Sequence, residues 1–257
     1  SAKRVERWLL READGFVVLT ARARDILFAE SRESGYDKAG RPVEIIPCCV
    51  DLSRFQTANS DSRTRVRNEL GLDGRYVTAY IGAFGGWYLT KETADFFGEL
   101  KARRKDAFAL ILTQSNPEVI EPLLRERGYD SNDYLVTRVK PAEIPYYLSG
   151  ADAAVSFIKN CYSKQASSPT KNAEYLACGL PIIANLGVGD VDDLITNNNV
   201  GILVHDFDPE SYNLALDAIE KLGDIKERCQ ETVKREFDLR SVGGERYRRI
   251  YRRLLEK

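Results

Sequence analysis

The chain has 257 residues, 43% hydrophobic and 30% charged, a soluble globular composition with room for one large domain or two small ones. Lys and Arg number 38 against 39 Asp and Glu, a balance that offers no overall electrostatic footprint for nucleic acid, so none is expected as a partner. The longest apolar stretches, such as "FALILT" and "YVTAYIGAF", fall far short of the roughly 18 residues that suggest a membrane span. Five cysteines, two of them the adjacent Cys48 and Cys49, show neither Cys-x-x-Cys spacing nor a disulfide framework. Reduced thiols in a cytoplasmic protein are the expectation, and no metal site is expected. The one histidine, His205, lies where a strand-like run gives way to Asp208-Pro209 and is read as a structural loop residue. The first residue is Ser1, no methionine occurs, and "SAKRVERWLLREADG" is charged and amphipathic where a signal peptide would be apolar. The expectation is a fragment or a processed chain.

In chain order, "GFVVLTA" (15–21), a helix through "RARDILFAES" and "PVEIIPCCV" (42–50) read as a small αβαβ piece, too short for a domain. A polar, turn-rich connection follows near 47–60. Strand candidates then recur at 76–82, 107–113, 133–139, 152–158, 180–185 and 200–204, with amphipathic helical segments between them. Near-continuous apolar strands alternating with helices predict a doubly wound, Rossmann-like α/β domain with a parallel sheet covered on both faces. Such sheets bind ligands at the carboxyl ends of their strands. The chain closes on "RYRRIYRRLL", a basic helix expected to dock through Tyr247, Ile250, Tyr251 and Leu254. Its arginines are read as a solvated face, with peripheral attraction to anionic lipid at the inner face of the membrane as the rival reading.

The most informative stretch is "SSPTKNAEYLACGLPII" (167–183). Ser167 and Ser168 suit a helix N-cap, Pro169 the first helical position, and Gly179 with Pro181 the exit. On a helix over 169–178, Lys171 and Glu174 share one face while Ala173, Leu176 and Ala177 form the packing face. Backbone N–H groups at 168–171, with the macrodipole and the lysine, make an anion site suited to a phosphate. The carboxylate one turn on can accept bonds from neighbouring hydroxyls of a ribose or sugar. The competing reading is a plain Lys171–Glu174 surface ion pair. Gly82, Gly85 and Gly86 in "YIGAFGGWY" and Gly187 and Gly189 in "NLGVGD" follow strands directly, so bare backbone could approach a ligand along the same rim.

"EIIPCCVDLSRF", "YIGAFGGWY", "SSPTKNAEYLACGLPIIAN", "VGDVDDLI…VGILV" and "RYRRIYRRLL" resemble, in this order, the retaining nucleotide-sugar-dependent glycosyltransferases of GT-B fold, family 4 or group 1. The resemblance implies a donor-binding domain over 47–240, the remnant of an acceptor domain over 1–46 whose larger part is missing, and a docking helix over 241–257. It implies transfer of a hexose from a nucleoside diphosphate sugar to a glycan or lipid-linked acceptor, as in polysaccharide biosynthesis, without a metal or other cofactor. Glu174 matches the second of two family glutamates and would hold the donor ribose. The first falls on Ala166, and the positions of an arginine and a lysine that hold the diphosphate read Ala83 and Tyr88. The donor-binding residues expected are therefore Glu174, Lys171, Thr170, Ser168, Lys164, Gly82, Gly85, Gly86 and Gly189, with Lys164 or Lys171 supplying the positive charge. A catalytic residue is not assigned, and the alternative is a degenerate nucleotide-sugar-binding or scaffold module.

Overall fold

The computed structural model describes residues 2–256. Its organising feature is a six-stranded, wholly parallel sheet of β3 (Tyr76–Ile81), β4 (Ala107–Leu112), β5 (Tyr134–Thr137), β6 (Ala153–Ser156), β7 (Ile182–Asn185) and β8 (Gly201–Val204). The strand order is β5-β4-β3-β6-β7-β8. Every residue of β4 is buried, and only the first residue of β3 is not, which is why both read as unbroken apolar runs. The chain reverses its direction of travel between β3 and β6. That topological switch point is where an open α/β sheet leaves a crevice at its strand carboxyl ends.

Helices cover both faces. Against one pack α8 (Thr170–Ala177), α9 (Val191–Asn198) and α11 (Lys226–Phe237), sharing an apolar cluster with β3, β4, β6 and β7. Against the other pack α5 (Thr90–Arg103), α6 (Glu121–Glu126) and α10 (Pro209–Lys221), around Phe96, Phe97, Phe157 and Tyr212. The Asp208 side chain caps α10 by accepting from the Ser211 N–H at 2.8 Å, and Pro209 occupies the first helical position.

Residues 1–46 contribute the helices α1 (Ala2–Glu12), α2 (Ala21–Leu27) and α3 (Ser31–Ser34) and a separate two-stranded parallel sheet of β1 (Phe16–Val18) and β2 (Val43–Ile45). They hold a small core of their own around Val18, Ala23, Phe28 and Val43. The chain then runs through a 3₁₀ turn (Leu52–Phe55) and α4 (Ser60–Glu69) into β3, with α7 (Ile144–Leu148) packed beside α4.

The last helix, α12 (Glu245–Leu255), departs from its expected dress. Ile250 is buried and Leu254 is half-buried beside Gly15, but Tyr247 and Tyr251 are 47% and 61% exposed. Its arginines are not simply a solvated face. Arg249 and Arg253 reach the buried Glu44 carboxylate at 3.0 and 3.4 Å, and the Arg246 guanidinium donates to the Ile45 carbonyl at 2.9 Å. Charge therefore seats α12 on β2, where aromatic burial was anticipated. Among the described residues no helix is long and apolar enough to cross a membrane.

Candidate functional site

The site is built around α8, which runs from the end of β6 to the start of β7. Ala173 and Leu176 are fully buried against the sheet and Ala177 nearly so, as their spacing requires. Tyr175 fixes the helix in register: its hydroxyl accepts from the Ile81 N–H at 2.9 Å and donates to the Val155 carbonyl at 3.1 Å. One buried phenol thus ties α8 to the ends of both β3 and β6, the two strands flanking the switch point.

The N-terminus of α8 differs from expectation. Pro169 occupies the N-cap position and gives no side-chain bond to the helix. Ser168 is drawn off elsewhere, its Oγ accepting from the Cys48 N–H at 3.0 Å. Proline has no N–H, so of backbone positions 168–171 only Ser168, Thr170 and Lys171 have a proton to offer. Thr170 is exposed at this tip.

Lys171 is not half of a surface ion pair. It is 7% exposed, and its Nζ has no hydrogen-bond partner among the described residues. The ammonium lies between two aromatic faces, 4.4 Å from the Tyr80 ring centroid and 4.3 Å from that of Tyr88. Gly82 makes the space: a β-carbon there would approach the Nζ to 3.1 Å, and the glycine's φ of +124° disfavours a side chain in any case. Burial pushes the Lys171 amine down to about 7, only partly opposed by the field of Glu174. Glu174, one turn on, is half-buried. Burial raises its carboxyl above the ordinary range, against the fields of Arg54 and Lys171. A buried, unpartnered amine and a half-buried carboxylate thus share one face of α8 at the switch point of the sheet, the kind of place where titratable groups with shifted pKa values collect around ligands.

The other expected residues divide. Lys164 lies in a 3₁₀ turn (Tyr162–Ala166) with its ammonium 4.7 Å from the ring of Trp87, itself 48% exposed at the tip of the glycine-rich loop. Gly85 and Gly86 stand in that loop with φ of +82° and +63° and open space where side chains would be. Gly189 serves the chain itself. A β-carbon there would fall 1.9 Å from the Ser167 carbonyl oxygen and 2.9 Å from Thr20, and its N–H donates to the Lys164 carbonyl at 2.8 Å. Its missing side chain admits neighbouring backbone, leaving no room there for a ligand. Gly187 likewise faces the Asn160 side chain.

Two participants carried no sequence signal. Arg54, in a turn 120 positions earlier, donates to the Pro141 carbonyl at 3.0 Å and its field favours the Glu174 carboxylate. Asp190 accepts from the Ala21 and Arg22 N–H groups at 2.6 and 3.2 Å, bonding the start of α2 to the loop that bears Gly189.

A doubly wound parallel sheet with helices on both faces, and a glycine-rich turn at the carboxyl end of its first strand, give the chain the α/β architecture of GT-B glycosyltransferases. The chain belongs to the glycosyl transferases group 1, whose family model matches residues 62–236. Among curated relatives it is similar to the 2-deoxystreptamine glucosyltransferase of Streptomyces kanamyceticus, 26% identical over 197 residues, covering 74% of this chain and 47% of that protein. It is also similar to the alpha-D-kanosaminyltransferase of the same organism, 27% identical over 266 residues, with 98% and 64% covered. The chain thus spans between about half and two thirds of the length of these relatives. Among solved structures, a glycosyltransferase from Rickettsia africae superposes with a TM-score of 0.75 at 15% identity, over 98% of this chain and 66% of that one. HepE from Anabaena, solved in complex with UDP and glucose, gives 0.71 at 15% identity, over 97% and 66%. These likenesses bear on the fold.

Proposed function

We propose that this chain is the donor-binding portion of a retaining glycosyltransferase that moves a hexose from a nucleoside diphosphate sugar to a glycan or lipid-linked acceptor. The observation that carries this reading is the orphaned Lys171 ammonium. Burying a cation without a counter-charge is costly, and a diphosphate arriving over the bare backbone of Gly82, Gly85 and Gly86 would supply that charge. Lys171 then does from α8 what the family resemblance expects of a lysine at the position of Tyr88, whose ring its ammonium already touches.

In this reading Glu174 accepts the ribose hydroxyls, and the N–H groups of Thr170 and Lys171 face the diphosphate at the positive end of α8. Lys164 closes the site from the side of Trp87. The contribution is electrostatic: charge developing on the departing diphosphate meets fixed donors already in position. HepE's complex with UDP and glucose lends support from a protein of like fold. Residues 47–240 are the donor domain on this reading, residues 1–46 the close of the acceptor domain, and 241–257 the docking helix. Tested alone, the 257-residue chain should bind nucleotide and leave sugar untransferred, because an unplaced acceptor forfeits the proximity on which transfer depends.

A second reading, a degenerate scaffold module that keeps the fold and has lost the donor site, is favoured by Ala83 and Ala166, both exposed where the family resemblance expects charged ligands. Calorimetric titration with UDP, GDP and ADP decides between them. Saturable binding of one diphosphate, lost on adding phosphate-removing enzyme, supports the donor site. No binding of any would leave the module.

A further inference from the structure

The two lysines on which the donor-site reading rests are both covered, and by neighbouring rings of a single turn. Tyr88 lies on the Lys171 ammonium at 4.3 Å and Trp87 on that of Lys164 at 4.7 Å, measured to the ring centroids. The Lys171 Nζ is closed off from solvent altogether, so in this arrangement no anion can touch it. The second ring against it, Tyr80, is a fixed wall. It is fully buried in β3, stacks on Phe84 at a centroid distance of 4.5 Å and donates its hydroxyl to the Ala83 carbonyl at 2.6 Å. The side that can give way is the one carrying Tyr88.

That side is lightly held. Residues 85–88 form a turn closed on itself, the Tyr88 N–H donating to the Gly85 carbonyl at 3.0 Å. A β-carbon at Gly85 or Gly86 would meet nothing within 4 Å, and both glycines and Trp87 are exposed. The turn is tied down by the Gly85 N–H on the Thr90 hydroxyl at 3.0 Å and the Lys159 N–H on the Trp87 carbonyl at 2.8 Å. Just beyond it the Leu89 N–H reaches the Phe157 carbonyl at 3.3 Å. Bonds of this kind at the surface are exchanged for bonds to water at small net cost. The cation–π contact on each lysine is likewise outweighed by a charge-assisted pair with a phosphate.

We propose that the turn 85–88 is a lid whose two rings shield Lys171 and Lys164 and move aside when a diphosphate takes both ammonium groups. The proposal rests on the donor-site reading and adds that the turn must open before the phosphates can reach Lys171. Brief acetylation of the full chain with acetic anhydride, without nucleotide and read by peptide mass spectrometry, tests the cover. Lys171 should react roughly tenfold or more slowly than the exposed Lys159, although its lowered amine value would otherwise speed the reaction. Tyr88→Ala should erase that difference. A second arm leaves Tyr88 in place: in Trp8→Phe, Trp87 is the sole tryptophan, and its emission should change saturably with UDP or pyrophosphate but not with uridine. Three results would overturn the lid and leave the donor site standing: acetylation of wild-type Lys171 as fast as that of Lys159, calorimetric UDP binding with Trp87 emission unmoved, or an equal emission change with uridine. Slow acetylation relieved by Tyr88→Ala, with neither UDP nor pyrophosphate bound by either chain, would instead overturn the donor-site reading and the lid's ligand with it.

Discussion

Lys171 carries the sharpest consequences at the scale of single residues. Methionine fills nearly the same volume between Tyr80 and Tyr88 and needs no counter-charge. Lys171→Met should therefore raise the melting temperature in scanning calorimetry while weakening UDP binding far more than uridine binding. Equal losses for the two ligands would remove the phosphate contact. The pH dependence has a definite sign. With its amine lowered from 10.5 to about 7 in the folded chain, Lys171 makes the unfolded state the better proton binder between those values. Wild-type stability should accordingly rise with pH across that window relative to Lys171→Met, as denaturant melts of the two at several pH values would report. A diphosphate favours the protonated amine. UDP affinity should thus fall as pH rises above about 7, with proton uptake visible as a buffer-dependent binding enthalpy, and both effects should vanish in Lys171→Met. Glu174→Gln should leave the melting temperature nearly unchanged and weaken nucleotide and nucleoside alike. Loss of a charge-assisted hydrogen bond corresponds to about 1.5–3 kcal/mol. An unaltered dissociation constant would reduce Glu174 to a neighbour of Arg54.

Among the elements, those buried on both faces were the legible ones. The six strands of the large sheet stand within one or two residues of the apolar runs that announced them, because both faces of each strand need apolar side chains. The exit of α8 at Gly179, whose φ is +77°, was equally readable, since that conformation selects glycine. Its entry was misread, for Ser168 bonds to Cys48, a partner 120 positions away that no local rule selects. Gly189 was misassigned for the same kind of reason: sequence announces a missing side chain but not whether ligand or chain fills the gap. Asp190 is the long-range element-scale partner with a measurable effect. Thr20 caps α2 through the Ala23 N–H at 3.0 Å, and Asp190 takes the Ala21 and Arg22 donors that remain. Asp190→Ala should lose about 1 kcal/mol and speed hydrogen exchange at the Ala21 and Arg22 amides. Unchanged exchange at both would mean that the cap contributes nothing to α2.

At the scale of the whole molecule, two sheets of unequal size meet, and the smaller leaves apolar surface uncovered. Val5, Trp8 and Leu9 on α1 are 56%, 54% and 52% exposed. Such a stripe favours association, and the chain should sediment with a concentration-dependent mass that Trp8→Ser with Leu9→Ser returns to a single species. Concentration-independent sedimentation of the wild type would count against it. The join between the sheets has a mechanical meaning. Thr20 Oγ1 donates to the Gln165 carbonyl at 2.7 Å, Arg22 pairs with Asp192 at 2.7 Å, and Gly189 is wedged between Thr20 and Ser167. The segment 1–46 is therefore no swinging arm but a lever clamped at its working end. Whatever displaces it is felt first by the peptides on either side of α8's entry, a few residues from Lys171.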